Sequence, residues 1–208
     1  DFSYDSHDNQ SKRLLKTLLD NDFRVMLHLV QPLEAARAME CPDEQTRWRK
    51  FLATALDTYG QRIELVEVGS AVNRHRWSGY SLNGFLACWD IAFQEMQRRD
   101  IKLAGPNVND FEPFYTIALL DLLGRQGQLP DYYTNNLFVE RATEPEAYDH
   151  KVIGRRLARL VRYNLVRKAR QLQLITQSRR VGDMLCAYVT WTLPRIRRFL
   201  PDAETKQA

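Results

Sequence analysis

At 208 residues with 44% hydrophobic composition, the chain is long enough to bury a sizeable core, and no apolar run nears the roughly 20 residues that cross a bilayer. The three cysteines, Cys41, Cys88 and Cys186, are odd in number and widely spaced, which argues for reduced thiols and against a disulfide frame. The net charge of +4 hides an asymmetry: residues 1–150 are net acidic, whereas 151–180 are basic throughout and hold no acidic side chain.

Residues 1–5 suit the tail of a strand. Leu14, Leu15, Leu18 and Leu19 then recur at helical spacing, predicting a short helix to about 20. The run 24–30 reads as a buried strand closed by Gln31-Pro32. From 42 to 59 the apolar positions Trp48, Phe51, Leu52, Ala55, Leu56 and Tyr59 keep a 3.6-residue period, with Pro42 and Asp43 at the start. Gly60 is expected to end that helix in a left-handed cap. A second buried strand, 63–68, stops at Gly69, and a helix with Phe85, Leu86, Trp89, Phe93 and Met96 on one face comes next, from 82 to 99, with Ser81 as its N-cap. Further strands are predicted at 101–104, 135–139 and 185–190. Helices are predicted at 114–124 and, with the basic face, at 150–173.

Five strands alternating with helices predict an α/β fold, either most of a barrel or an open parallel sheet. In such folds the side chains at strand carboxyl ends converge on one rim, which hosts ligands. The candidates on that rim are His28 and Gln31, residues 73–77, Asn107 to Glu112, Glu140 and Glu144, and Thr190 with Trp191. Several carboxylates, an imidazole and a tryptophan together suit a sugar, whose hydroxyls seek paired acceptors and whose faces stack on aromatic rings.

Asp110 and Glu112 stand two apart, so in extended chain they point the same way and make the best acid/base pair; a loop cap or an ion pair with Arg74 or Arg76 is the competing reading. Trp77 reads equally as a stacking platform or as packing under a loop. His28 lies in an apolar run and reads as a core histidine or a site residue. The four histidines and three cysteines show no metal-ligand spacing, and no cofactor is expected. The basic segment, with Arg155, Arg156, Arg159, Arg162, Arg167, Lys168 and Arg170 alternating with apolar residues, reads as a solvated outer helix or as a cationic face for anionic lipid or lipopolysaccharide. No base-stacking or groove-reading motif accompanies it, so nucleic acid is not expected.

Two of these loops carry a resemblance. Glu67-Val68-Gly69-Ser70-Ala71-Val72-Asn73-Arg74 and Gly105-Pro106-Asn107 resemble the retaining, two-glutamate (β/α)8-barrel glycoside hydrolases, which read E-x-G-N-E-P-N-R after strand four and G-P-N/A after strand five. The resemblance implies a TIM-barrel-like domain over 1–208, with about five strands present, since such a barrel takes about 250 residues. The chain begins at Asp1, and a piece of a longer protein is expected, with a complete small domain as the alternative. The family's Asn-Glu pair supplies the acid/base carboxyl, and a strand-seven glutamate is the nucleophile. Ser70 and Ala71 stand at the pair, and 188–191 offers no glutamate. Asn73, Arg74 and Arg76 resemble residues that hold the sugar or the acid/base group. The pattern as a whole resembles bacterial members associated with surface polysaccharide and lipopolysaccharide. The expectation is therefore a protein that binds or cleaves such a glycan in the cytoplasm or at the cytoplasmic membrane face, through His28, Asn73, Arg74, Arg76, Trp77, Asn107, Asp110, Glu112 and Glu140.

Overall fold

A computed structural model describes residues 2–4, 10–139 and 165–190. The strands among them are β1 (Met26–Leu29), β2 (Leu65–Val68), β3 (Leu103–Ala104), β4 (Val108–Asn109), β5 (Tyr132–Val139) and β6 (Asp183–Thr190). All pair in parallel, β1 on β2, β2 on β3, and β3, β4 and β6 on β5. Since β6 runs along the full length of β5, β3 and β4 share its other edge and act as two halves of one strand. Ala104 faces Tyr132 and Val108 faces Asn135, so four steps on one side match three on the other: a one-residue bulge lies between them.

The helices are α1 (Gln10–Asp20), α2 (Leu33–Arg37), α3 (Pro42–Tyr59), α4 (His75–Ser78), α5 (Leu82–Arg99), α6 (Pro113–Arg125) and α7 (Leu165–Ser178). Counting β3 and β4 together, five parallel strands succeed one another in chain order with helices between them. This is TIM-barrel-like wiring, and the five predicted strands are the five observed. Phe2 adds a parallel bridge to Leu29, its N–H donating to His28 O at 2.9 Å and its carbonyl accepting from Val30 N at 2.9 Å, as a strand tail would.

Strand alternation sorts the two faces. Leu27, Leu29, Val66, Val68, Leu103 and Tyr133 point to the helices and pack with Trp48, Leu52 and Leu56 of α3, Phe85, Trp89 and Met96 of α5 and Leu119, Leu120 and Leu123 of α6. The fully buried indoles of Trp48 and Trp89 keep their N–H groups bonded, to Cys88 O at 3.1 Å and to Gln128 O at 2.9 Å. Between α3 and α5, the buried Glu95 carboxylate takes Arg49 at 2.9 Å, Arg98 at 2.8 Å and Arg99 at 2.7 Å. The other face carries His28 beside Glu67 in register.

Several expectations are corrected. Gly60 is right-handed (φ −53°) and leads into a 3-10 turn, Gly60–Arg62; glycine is suited there because a Cβ would sit 2.6 Å from Ile101 Cδ1. The loop expected over 105–113 contains β4. Tyr132 already pairs with Ala104, so β5 begins three residues before the predicted strand. The short helices α2 and α4 have no periodic signature because four or five residues span too little of a helical repeat to show one.

The carboxyl rim as candidate functional site

β2 ends at Val68, and Gly69 turns the chain at φ 94°, where a Cβ would press on Val72 and Phe85 at 3.0 and 3.2 Å. Asn107 then clasps that turn. Its Oδ1 accepts from Ala71 N at 3.2 Å, and its carbonyl accepts from Val72 N at 3.0 Å. Its Nδ2 donates to Glu67 Oε1 at 3.0 Å. Asn136 on β5 donates to Asn107 Oδ1 at 2.9 Å and Asn109 Oδ1 at 3.0 Å.

On the other side of Glu67, His28 Nε2 lies 2.9 Å from Gly69 O. A carbonyl only accepts, so Nε2 carries the proton in this contact, and Nδ1 is turned to Glu67 Oε2 at 3.8 Å. A polar row therefore crosses the sheet from β1 to β5: His28, Glu67, Asn107, Asn136. The Glu67 side chain is 7% exposed and lines a hollow of about 640 Å³ with Asn107, Thr134 and Asn136. The buried Thr134 Oγ1 has no hydrogen-bond partner. The same hollow runs down the face past Leu65 and Leu185 to Met26 and Tyr132, the first residues of β1 and β5.

Outside this row, Arg74 Nη2 reaches Asp110 at 3.3 Å and Glu112 at 3.1 Å. The two carboxylates do converge, but on a guanidinium, and Asp110 has φ 70° where an extended residue is expected. With that geometry their lone pairs serve Arg74, and a reacting proton competes with it. Asn73 is a positioning residue: its Nδ2 donates to Asn109 O at 2.7 Å and its Oδ1 accepts from Asn109 N at 2.9 Å. Arg76 and Trp77 lie on α4, both exposed. A second hollow, about 200 Å³, lies beside Trp77. Ala71 is buried with φ 49°, so its methyl group sits inside the loop and offers no carboxylate there.

Structure thus gathers His28, Asn73, Arg74, Asn107, Asp110 and Glu112 at one end of the sheet. Glu140, Trp191 and residues 151–164 of the basic segment lie outside the described residues. Within α7, Lys168 is 5% exposed and Leu172 packs with Phe111 and Leu137, the pattern of an outer barrel helix. Glu67 is legible in the sequence as a carboxylate, but its direction is not, and sequence reasoning misses Asn136. Its signal is composition: asparagine is depleted from strands, so Asn135-Asn136 inside an otherwise aromatic and apolar run marks a polar duty. No helix among the described residues is long and apolar enough to cross a membrane.

The parallel strands and the helices between them give the chain a TIM-barrel-like fold. It is similar in structure to a glucosidase from Croceicoccus marinus, with TM-score 0.60 and 12% identity over 85% of this chain and 35% of that one. It is also similar to a monomeric beta-xylosidase from Caulobacter crescentus CB15, with TM-score 0.51 and 12% identity over 74% of this chain and 32% of that one. The chain thus matches about a third of the length of each. No protein-family model matches the sequence, and no curated protein matches it.

Proposed function

We propose that this is a glycoside-hydrolase-like protein that binds a bacterial cell-surface glycan on the rim formed by His28, Glu67, Asn107 and Asn136, and that its hydrolytic capacity is impaired. The polar row across the sheet carries the reading: Asn107 bonds both Glu67 and Asn136, and His28 Nδ1 stands 3.8 Å from the same Glu67 carboxylate. Its donors and acceptors are fixed in place before a ligand arrives, which lowers the entropic cost of reading sugar hydroxyls. The similarity to a glucosidase and a beta-xylosidase supports a carbohydrate as the ligand. The resemblance of the sequence pattern as a whole to bacterial members associated with surface polysaccharide supports a glycan of the bacterial surface, lipopolysaccharide included.

Impairment follows from the carboxyl groups. Hydrolysis usually needs two, about 5–5.5 Å apart for retention or roughly 6.5–9.5 Å for inversion. Ala71 supplies none, and Asp110 and Glu112 both face Arg74. Binding to a panel of bacterial oligosaccharides, followed by calorimetry, tests the first part. Glu67→Gln keeps the shape and removes the charge, and is expected to weaken binding by about tenfold or more. Aryl-glycoside hydrolysis tests the second. Release close to the uncatalysed rate, unchanged in an Asp110→Asn, Glu112→Gln double variant, is the expected outcome; a robust rate that this variant abolishes would make the pair catalytic.

A further inference from the structure

We propose that the hollow beside Trp77 is a separate subsite for one sugar ring, an assignment that rests on the glycan reading and extends it to a second place on the rim. Trp77 is 63% exposed although it is the most expensive side chain to leave in water. It is also held. Its backbone N–H donates to Arg74 O at 2.8 Å, and α4 closes at Gly79, φ 82°, where a Cβ would lie 2.7 Å from Leu33 O. His75 Nδ1 donates to Tyr80 O at 2.7 Å and fixes the same turn. A solvated indole carried on a backbone fixed in this way is a platform whose main chain needs no reordering.

The walls are of two kinds. Val30, Leu33 and Trp77 are apolar, whereas Gln31, Ser70 and Ser78 are polar. Gln31 is locked, its Oε1 accepting from Tyr80 Oη at 2.7 Å and its Nε2 donating to Tyr4 Oη at 2.8 Å. Ser78 is 8% exposed and its Oγ has no hydrogen-bond partner, a state that native structures rarely leave unexplained. An indole and polar side chains lining the same hollow match a pyranose, which has an apolar C–H face and an edge of hydroxyls. The volume of about 200 Å³ is below the roughly 300–1,000 Å³ of sites for larger ligands, so the hollow takes one ring and not a chain. Ser70 directly succeeds Gly69, whose carbonyl holds His28, so this ring would be a neighbour or branch of a glycan on the main row.

The test uses the 208-residue chain with nitrogen-15 label, titrated with methyl glycopyranosides (glucoside, xyloside, mannoside, N-acetylglucosaminide, heptoside) and with whichever oligosaccharide binds in the calorimetric panel. The indole resonance missing from Trp77→Ala is expected to shift and saturate. Trp77→Ala should weaken the oligosaccharide about tenfold, and Trp77→Phe should restore part of it. Ser70→Ala should weaken it less. If the oligosaccharide binds, Glu67→Gln weakens it and Trp77→Ala does not, the subsite is wrong while the glycan reading stands. If neither glycosides nor oligosaccharides bind, both fall.

Discussion

Asn107 shows how much one side chain can decide. It joins Glu67, the Ala71 amide and Asn136, and of these Glu67 and Ala71 are buried, as Asn107 itself is. Asn107→Ala leaves Glu67 and the Ala71 amide to find other partners in a buried setting, while Asn136 keeps Asn109, so a loss of about 2–4 kcal/mol is expected, read as a lower midpoint in urea with the slope unchanged. The three thiols test burial at the same scale. Burial pushes Cys88 up to about 12, against a smaller opposing hydrogen bond from Tyr80, and pushes Cys186 up to about 11. Cys41 is exposed. At pH 8 an alkylating reagent should therefore modify Cys41 within the native state, Cys186 far more slowly, and Cys88 only when the protein unfolds. Equal rates at Cys41 and Cys88 would contradict the packing around α5.

Among the elements, α3 and α5 are legible end to end because eighteen residues repeat the 3.6-residue pattern five times and each start carries its own signal. Ser81 Oγ accepts from Gly84 N at 2.9 Å, the expected cap, and Ser81→Ala should cost about 1 kcal/mol in chemical denaturation. Short strands are legible as apolar runs but not in their limits, since hydrogen-bond pairing, which the sequence does not display, sets where a strand begins. The site is legible as a set of rim residues from the βαβ order. Which of them meet is not: Arg74 between Asp110 and Glu112 and Asn73 on the Asn109 backbone depend on contacts between residues 36 to 38 apart. The direction of Glu67 needs its register against His28, a relation between strands.

For the whole molecule, the tie between α3 and α5 gives stability a pH dependence. Burial tends to raise the Glu95 carboxyl, but hydrogen bonds from Arg99 and Arg49 and the nearby Arg98 charge outweigh it, so its pKa is lowered. A carboxyl depressed in the folded state stabilises fully above its unfolded value, about 4.3, and that contribution is lost as pH falls through the lower folded value. Glu95→Gln should cost roughly 1–3 kcal/mol at pH 7. Between about pH 5 and 3 the melting temperature of the variant should then fall less steeply than that of the parent chain, and parallel curves would show that Glu95 does not carry this dependence.

The surplus residue between β3 and β4 also sets the phase of the strand beyond it. Leu103 faces the helices and Ala104 the hollow, so unbroken alternation would turn Val108 inward and Asn109 into the apolar layer. The observed partners are the reverse: Val108 lies in the core and Asn109 meets Asn136. Straightening the chain through 105–107 without removing a residue would give a regular ladder and, by doing so, exchange an amide for an isopropyl group at the mouth. For a strand of this length, a perfect ladder would be the defective one.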